Sequence, residues 1–275
     1  MIKRSFVFIL VILMYACNSK PKAQEVKEEV RKTVEMVTDY GTNVLELYNE
    51  TPLHRDNFIK LAKEGVYDSV LFHRVIKNFM VQGGDPYTRP SATPDTLEND
   101  PFSYQVDAEF VPELYHKKGA LAAARTPNME RSSSSTQFYI VQGKVYNDDL
   151  LNRAEGRIND WLSEHYFKND PSNKSLVDSL QKAIDGENWK KYGVISDSIS
   201  KMAKAYRKFE RYTIPEEHRE VYKTEGGIPF LDQNYTVYGQ VIQGLEVIDS
   251  IAVVRTDTDD KPVDDIRVLS VKVLD

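Results

Sequence analysis

The chain has 275 residues, with 42 Asp and Glu against 36 Lys and Arg for a formal net charge of -6, 41% hydrophobic residues and a single cysteine. Such a chain can bury a core of ordinary size but has no intramolecular disulfide to help hold it. An acidic balance without a basic stripe argues against a nucleic-acid partner.

Residues 1–20 begin with Lys3 and Arg4, run uncharged through 6–16 and reach Cys17. The apolar run is too short to cross a hydrocarbon layer of about 30 Å as a helix, so 1–17 reads as an export signal rather than a membrane span. A cysteine directly after Ala16 resembles the lipobox of bacterial lipoproteins, with Met14 where leucine is commoner. The resemblance implies that Cys17 is the lipidation site and the mature first residue. Residues 18–33, rich in lysine and glutamate, read as a flexible tether. Aspartate does not follow Cys17. By resemblance to lipoprotein sorting signals, this implies a cell-envelope protein, lipid-anchored at the periplasmic face of the outer membrane.

From 33 to 142, short segments rich in Val, Ile, Phe and Tyr predict strands at 44–48, 71–76, 79–82, 120–124 and 137–141. One helix interrupts them. Thr51-Pro52 opens it, Phe58, Ile59 and Ala62 form its apolar stripe, and Gly65 ends it. The serines at 132–135 read as a flexible turn. From 146 to 223 the period becomes helical, with one stripe through Leu151, Ala154, Ile158, Trp161 and Leu162. A second runs through Leu176, Leu180, Ala183 and Ile184, and a third through Ile195, Ile199, Met202 and Tyr206. Asp170-Pro171 and Ile214-Pro215 punctuate these helices. A strand at 235–241, a short helix at 245–251 and a strand at 266–273 complete the pattern.

The run Phe72-His73-Arg74-Val75-Ile76, followed by Phe79-Met80-Val81-Gln82-Gly83-Gly84-Asp85, sets a cation, an amide and an apolar pair at strand spacing. That combination suits one chemistry. An X-Pro bond isomerises slowly because amide resonance opposes twisting, with a barrier of about 18–20 kcal/mol. An apolar cup for the ring, hydrogen bonds to the neighbouring carbonyl and a cationic donor beside the prolyl nitrogen lower it without a covalent intermediate.

With Thr136-Gln137-Phe138-Tyr139-Ile140, Phe230-Leu231-Asp232 and Val237-Tyr238-Gly239-Gln240-Val241, these blocks resemble the cyclophilin family of peptidyl-prolyl cis-trans isomerases over about 34–142 and 227–274. The resemblance implies a mainly β fold, a closed eight-stranded antiparallel barrel capped by two helices. It would be built from 34–143 and 227–275, with an α-helical insertion at 144–226. By position, the resemblance makes Arg74 the catalytic arginine and Gln82 the glutamine that orients it. Phe79, Met80, Tyr139, Phe230, Leu231 and Tyr235 would surround the proline, with Ala124, Arg125 and Gln137 beside the substrate backbone. Four departures stand out: Tyr139 for phenylalanine, Phe230 for tryptophan, Tyr235 for histidine, and a proline-rich stretch at 86–94 in place of a glycine-rich one.

No cofactor is expected. The five histidines have no spacing that sets two on one helical face, so no metal site is expected either. The implied function is a peptidyl-prolyl isomerase assisting the folding of exported proteins, its partners being their proline-containing segments and, through the lipid anchor, the membrane. The alternative is a proline-segment binding module or holdase chaperone with weak or no isomerase activity. The insertion emerges near the groove, where it would narrow it, touch a longer client, bind a protein partner, or pack only on itself. A barrel lacking 146–223 is expected to fold and to act on small peptides.

Overall fold

The computed structural model describes residues 30–92 and 100–274. The expected signal at 1–17, Cys17, most of the tether at 18–33, and Pro94 lie outside these described residues.

The chain opens with a hairpin, β1 (Thr33–Thr38) and β2 (Gly41–Leu47). Helix α1 (Pro52–Lys63) starts at its proline and stops before Gly65, which turns left-handed at φ +67°. Thr51 does not cap it. The first backbone amides, of Leu53 and His54, donate instead to the Glu109 carboxylate at 3.0 Å each, so this helix start depends on a residue far along the chain. His54 is buried between that carboxylate (Nδ1, 2.7 Å) and Ser133 Oγ (Nε2, 2.9 Å).

Further strands are β3 (Val70–Leu71), β4 (Arg74–Ile76), β5 (Met80–Gly83), β6 (Gln105–Val106), β7 (Ala120–Ala123), β8 (Ser133–Ser134) and β9 (Phe138–Val141). The serine run is therefore no flexible turn. Ser132, Ser133 and Ser135 are buried, and β8 pairs with β6 because His54 and the Phe102 carbonyl satisfy two of the hydroxyls. Four helices follow: α2 (Asp148–Asn169), α3 (Lys174–Asp185), α4 (Trp189–Ala203) and α5 (Glu216–Thr224). Then come β10 (Val237–Gln243), α6 (Leu245–Ile251) and β11 (Arg267–Leu274).

The main sheet has nine antiparallel strands in the order β3-β11-β1-β2-β10-β7-β9-β5-β4. The closed eight-stranded barrel is thus corrected. The sheet is open, and its edges, β3 and β4, are consecutive in the chain with only Phe72 and His73 between them. The sheet curls until its edges meet through the covalent chain, not through a ladder. Hydrogen bonding explains why. Phe72 N–H donates to the Ile266 carbonyl and Val75 N–H to that of Asp260, so the segment before β11 takes up edge donors that a closing strand would need.

Strand alternation sorts the two faces. Leu121, Ala123, Phe138, Ile140 and Val81 point into the core with Met36, Leu45, Phe58, Ile248 and Val268. Their neighbours Ala120, Ala122, Ala124, Tyr139, Val141 and Met80 line the opposite face with Ile228, Leu231 and Val237.

The predicted stripes fall on α2, α3 and α4. Leu151, Ala154, Ile158 and Leu162 pack with Ile214 and Tyr222, and Phe167 packs with Ile199 and Ala203. Lys117, Lys144 and Gly227 meet in β-bridges where the chain leaves for α2 and returns from α5. A Cβ on Gly227 would lie 2.3 Å from the His116 carbonyl oxygen and 2.5 Å from the Tyr222 ring. Gly227→Ala is expected to destabilise by more than about 2 kcal/mol in thermal unfolding. Gly193→Ala, in α4 with open space around it, is expected to be neutral or to stabilise by up to about 1 kcal/mol.

Candidate active site

β4 and β5 form a tight hairpin in which Arg74 faces Gln82 and Ile76 faces Met80, turned by Asn78 at φ +62°. β5 then pairs with β9, setting Gln82 opposite Tyr139. Alternation brings Met80, Gln82 and Tyr139 to the face away from the core, where the turn Pro229–Leu231 adds Leu231. The result is a cavity of about 240 Å³. Phe79, Met80 and Leu231 give it apolar walls, Tyr139 its floor, Arg74 and Gln82 one rim, and Ala124, Arg125 and Tyr235 the other.

Gln137 and Phe230, expected in the same set, act from behind the wall. Gln137 Oε1 accepts from Gln82 Nε2 at 3.1 Å, and the Phe230 ring lies parallel to Phe79 at 6.0 Å and 10°. A larger depression of about 410 Å³ runs beside Asp56, Lys60 and Lys63 of α1 and the following Glu64. That single helix and its end bound it, so it lacks the convergence of polar groups from several elements that a reaction requires.

The expected orientation of Arg74 by Gln82 has no direct hydrogen bond behind it here. Among the described residues the two side chains share no hydrogen bond, and the Gln82 amide N–H donates to Gln137 Oε1. Asp260 holds Arg74 instead, its Oδ2 lying 3.4 Å from Nε. With the side chains 44% and 42% exposed and the contact this long, the pair contributes under about 1 kcal/mol and leaves the guanidinium free to turn toward a ligand.

The Tyr139 hydroxyl, an extra polar group at the pocket floor, has a partner. It lies 2.9 Å from His116 Nε2, and His116 Nδ1 lies 2.8 Å from Asp232 Oδ1, which also accepts from the His116 backbone N–H. The Tyr222 hydroxyl, from α5, donates to Asp232 Oδ2 at 2.7 Å. The carboxylate calls for a proton on Nδ1, so Nε2 is the acceptor and the Tyr139 hydroxyl the donor. All four groups are buried, and burial pushes both tyrosines well above the usual phenol range. The chain of contacts runs from the pocket floor into the helices.

On the far rim, Arg125 donates from Nε and Nη2 to the carbonyl and Oδ1 of Asn234 and lies 4.7 Å over the Tyr235 ring. Its side chain, not only its main chain, shapes that wall. Sequence reasoning missed His116, Asp232, Asn234, Asp260 and Tyr222. Asp232 stands inside the quoted Phe230-Leu231-Asp232 block, but its partner His116 is 116 positions away and no spacing rule joins them. Among the described residues no cluster of three or more His, Cys, Asp or Glu is placed to hold a metal ion.

Residues 33–273 match the family described as cyclophilin type peptidyl-prolyl cis-trans isomerase/CLD. A candidate peptidyl-prolyl cis-trans isomerase of Staphylococcus haemolyticus is 28% identical over 243 residues, covering 88% of this chain and 91% of the relative. One of Staphylococcus epidermidis is 29% identical over 251 residues, covering 91% and 95%. A candidate bifunctional phosphatase/peptidyl-prolyl cis-trans isomerase of Streptococcus pyogenes is 29% identical over 245 residues, and this chain spans only 38% of its length. The crystal structure of a Cryptosporidium parvum cyclophilin type peptidyl-prolyl cis-trans isomerase aligns with a TM-score of 0.52 at 19% identity, covering 89% of this chain and 98% of that one. That likeness speaks for the fold.

Tyr222→Phe leaves Asp232 Oδ2 buried without its donor, and a loss of about 1–3 kcal/mol is expected in denaturant unfolding. For the same reason, removing 146–223 strips the site of a buried hydrogen bond, which revises the expectation of an independently active barrel. His165 of α2 is depressed to about 4, first by burial and then by Arg131 and Arg125. The unfolded chain binds this proton near the ordinary 6.5, so the unfolded state gains protons first and stability falls as pH drops from about 6.5 to 4. His165→Gln is expected to flatten the Tm-against-pH curve across that window.

Proposed function

The chain belongs to the cyclophilin-type peptidyl-prolyl cis-trans isomerase family, and from that membership we propose that it isomerises X-Pro bonds in exported proteins, with Arg74 as the catalytic cation. One observation carries the reading. Arg74 and the Phe79, Met80 and Leu231 wall converge on a single cavity of about 240 Å³, room enough for a prolyl ring. The prolyl ring enters that apolar cup, which fixes one end of the imide bond. As the bond twists, resonance is lost and the nitrogen lone pair localises; a guanidinium N–H can donate to it then, and only then. Gln82, steadied by Gln137, offers its amide to the neighbouring carbonyl. No proton changes owner and no bond is made.

We further propose lipidation at Cys17 and anchoring at the periplasmic face of the outer membrane. The order of signal, small residue and cysteine in the sequence supports this. A second reading, proline binding without appreciable turnover, draws on the Asp260 contact, which gives Arg74 a competing partner.

Exchange NMR on a short X-Pro peptide separates the two. Arg74→Ala is expected to lower kcat/KM by on the order of 10²–10³, while Asp260→Asn changes it less than about tenfold. Equal activity of wild type and Arg74→Ala would remove the catalytic assignment.

A further inference from the structure

α2 carries Arg157, Trp161 and His165 at four-residue intervals, hence along one face. Trp161 packs onto the groove-side apolar cluster. The Arg157 guanidinium carbon lies 4.3 Å over the Phe230 ring and 4.6 Å over Trp161. Phe230 in turn lies parallel to Phe79, and Phe79 walls the cavity. Cavity wall, two rings and cation therefore form one continuous stack.

Two aromatic rings pack against this guanidinium, and Arg157 is nonetheless an exposed residue. Among the described residues it makes no ion pair. Close to His165 on the same helix face, Arg125 and Arg131 are tied to Asn234 and the Gln233 carbonyl, and among the described residues neither has a carboxylate partner. Three arginines without a carboxylate partner along one helix face, one of them lining the cavity, are unexpected on a chain of net charge -6. The stack reaches roughly 10 Å from the Phe79 ring to Arg157, which an extended chain spans in about three residues.

Resting on the reading of the cavity as a prolyl pocket, we propose that Arg157 on its Trp161–Phe230 platform is a specificity site that takes a carboxylate side chain of the client two or three residues from the proline. A planar guanidinium matches a carboxylate edge to edge, and the aromatic backing holds its orientation before the ligand arrives.

The test is exchange NMR on proline peptides carrying Glu, Ala or Lys at the second or third position on either side of the proline, at about 20 mM and about 0.5 M salt. At low salt, at one of these positions, the Glu peptide is expected to exceed the Lys peptide in kcat/KM by about three- to tenfold, and the ratio is expected to approach one at high salt. In Arg157→Ala the ratio collapses, and in Arg157→Glu it inverts; thermal melts confirm that both variants are folded. A wild-type ratio near one at every position, or an undiminished ratio in Arg157→Glu, would overturn the proposal. If no peptide is isomerised, the catalytic reading fails. Titration of the same peptides, followed by chemical shift, then gives a Glu-to-Lys affinity ratio that decides the Arg157 site by the same criterion.

Discussion

The Asp232 carboxylate is the fixed point of the molecule. It is 1% exposed, and its oxygens are satisfied by the His116 amide and imidazole and the Tyr222 hydroxyl. The residues involved come from three different parts of the chain. His116 precedes β7 and in turn holds Tyr139 at the pocket floor, Tyr222 belongs to α5, and Asp232 itself ends the turn that supplies Leu231. Sheet, helices and cavity wall therefore share one buried network, and none of the three can shift without exposing an unpaired polar group.

A looser arrangement prevails at the sheet's seam. Asp260 sits there in a left-handed conformation, its carbonyl on the β4 edge and its carboxylate near Arg74. The cation is thus attached to the seam, while the apolar cup is built from the β4–β5 hairpin and the Pro229–Leu231 turn, which the Asp232 network ties down. A rigid cup with a movable donor is a sensible division. The ring must be gripped throughout the twist, whereas the nitrogen asks for its hydrogen bond only near the top of the barrier.

Local chemistry was legible in the sequence wherever one element decided it. Proline and glycine bracket α1, and α6 runs over Leu245–Ile251 as its pattern indicates, whereas the meeting of Arg74, Phe79, Met80, Gln82, Tyr139 and Leu231 in one cavity, from several elements, was legible only through the family resemblance. What escaped depends on partners distant in sequence. The run 71–76 reads as one strand, since an apolar pattern cannot show that its ladder partner changes from β11 to β5 at Phe72-His73. The serines read as a turn because nothing nearby announces His54. Trp161 lies in register with a helical core stripe, yet it turns to the groove because α2 packs beside the Pro229–Leu231 turn.

The strand order also constrains how such a chain comes to be. β11, the last strand in sequence, lies between β3 and β1, two of the earliest. A growing polypeptide can form the β1–β2 hairpin alone, but the sheet keeps a gap until its final residues have been made. Vectorial synthesis therefore yields a long-lived incomplete sheet and a late, concerted collapse, the slow regime of high contact order.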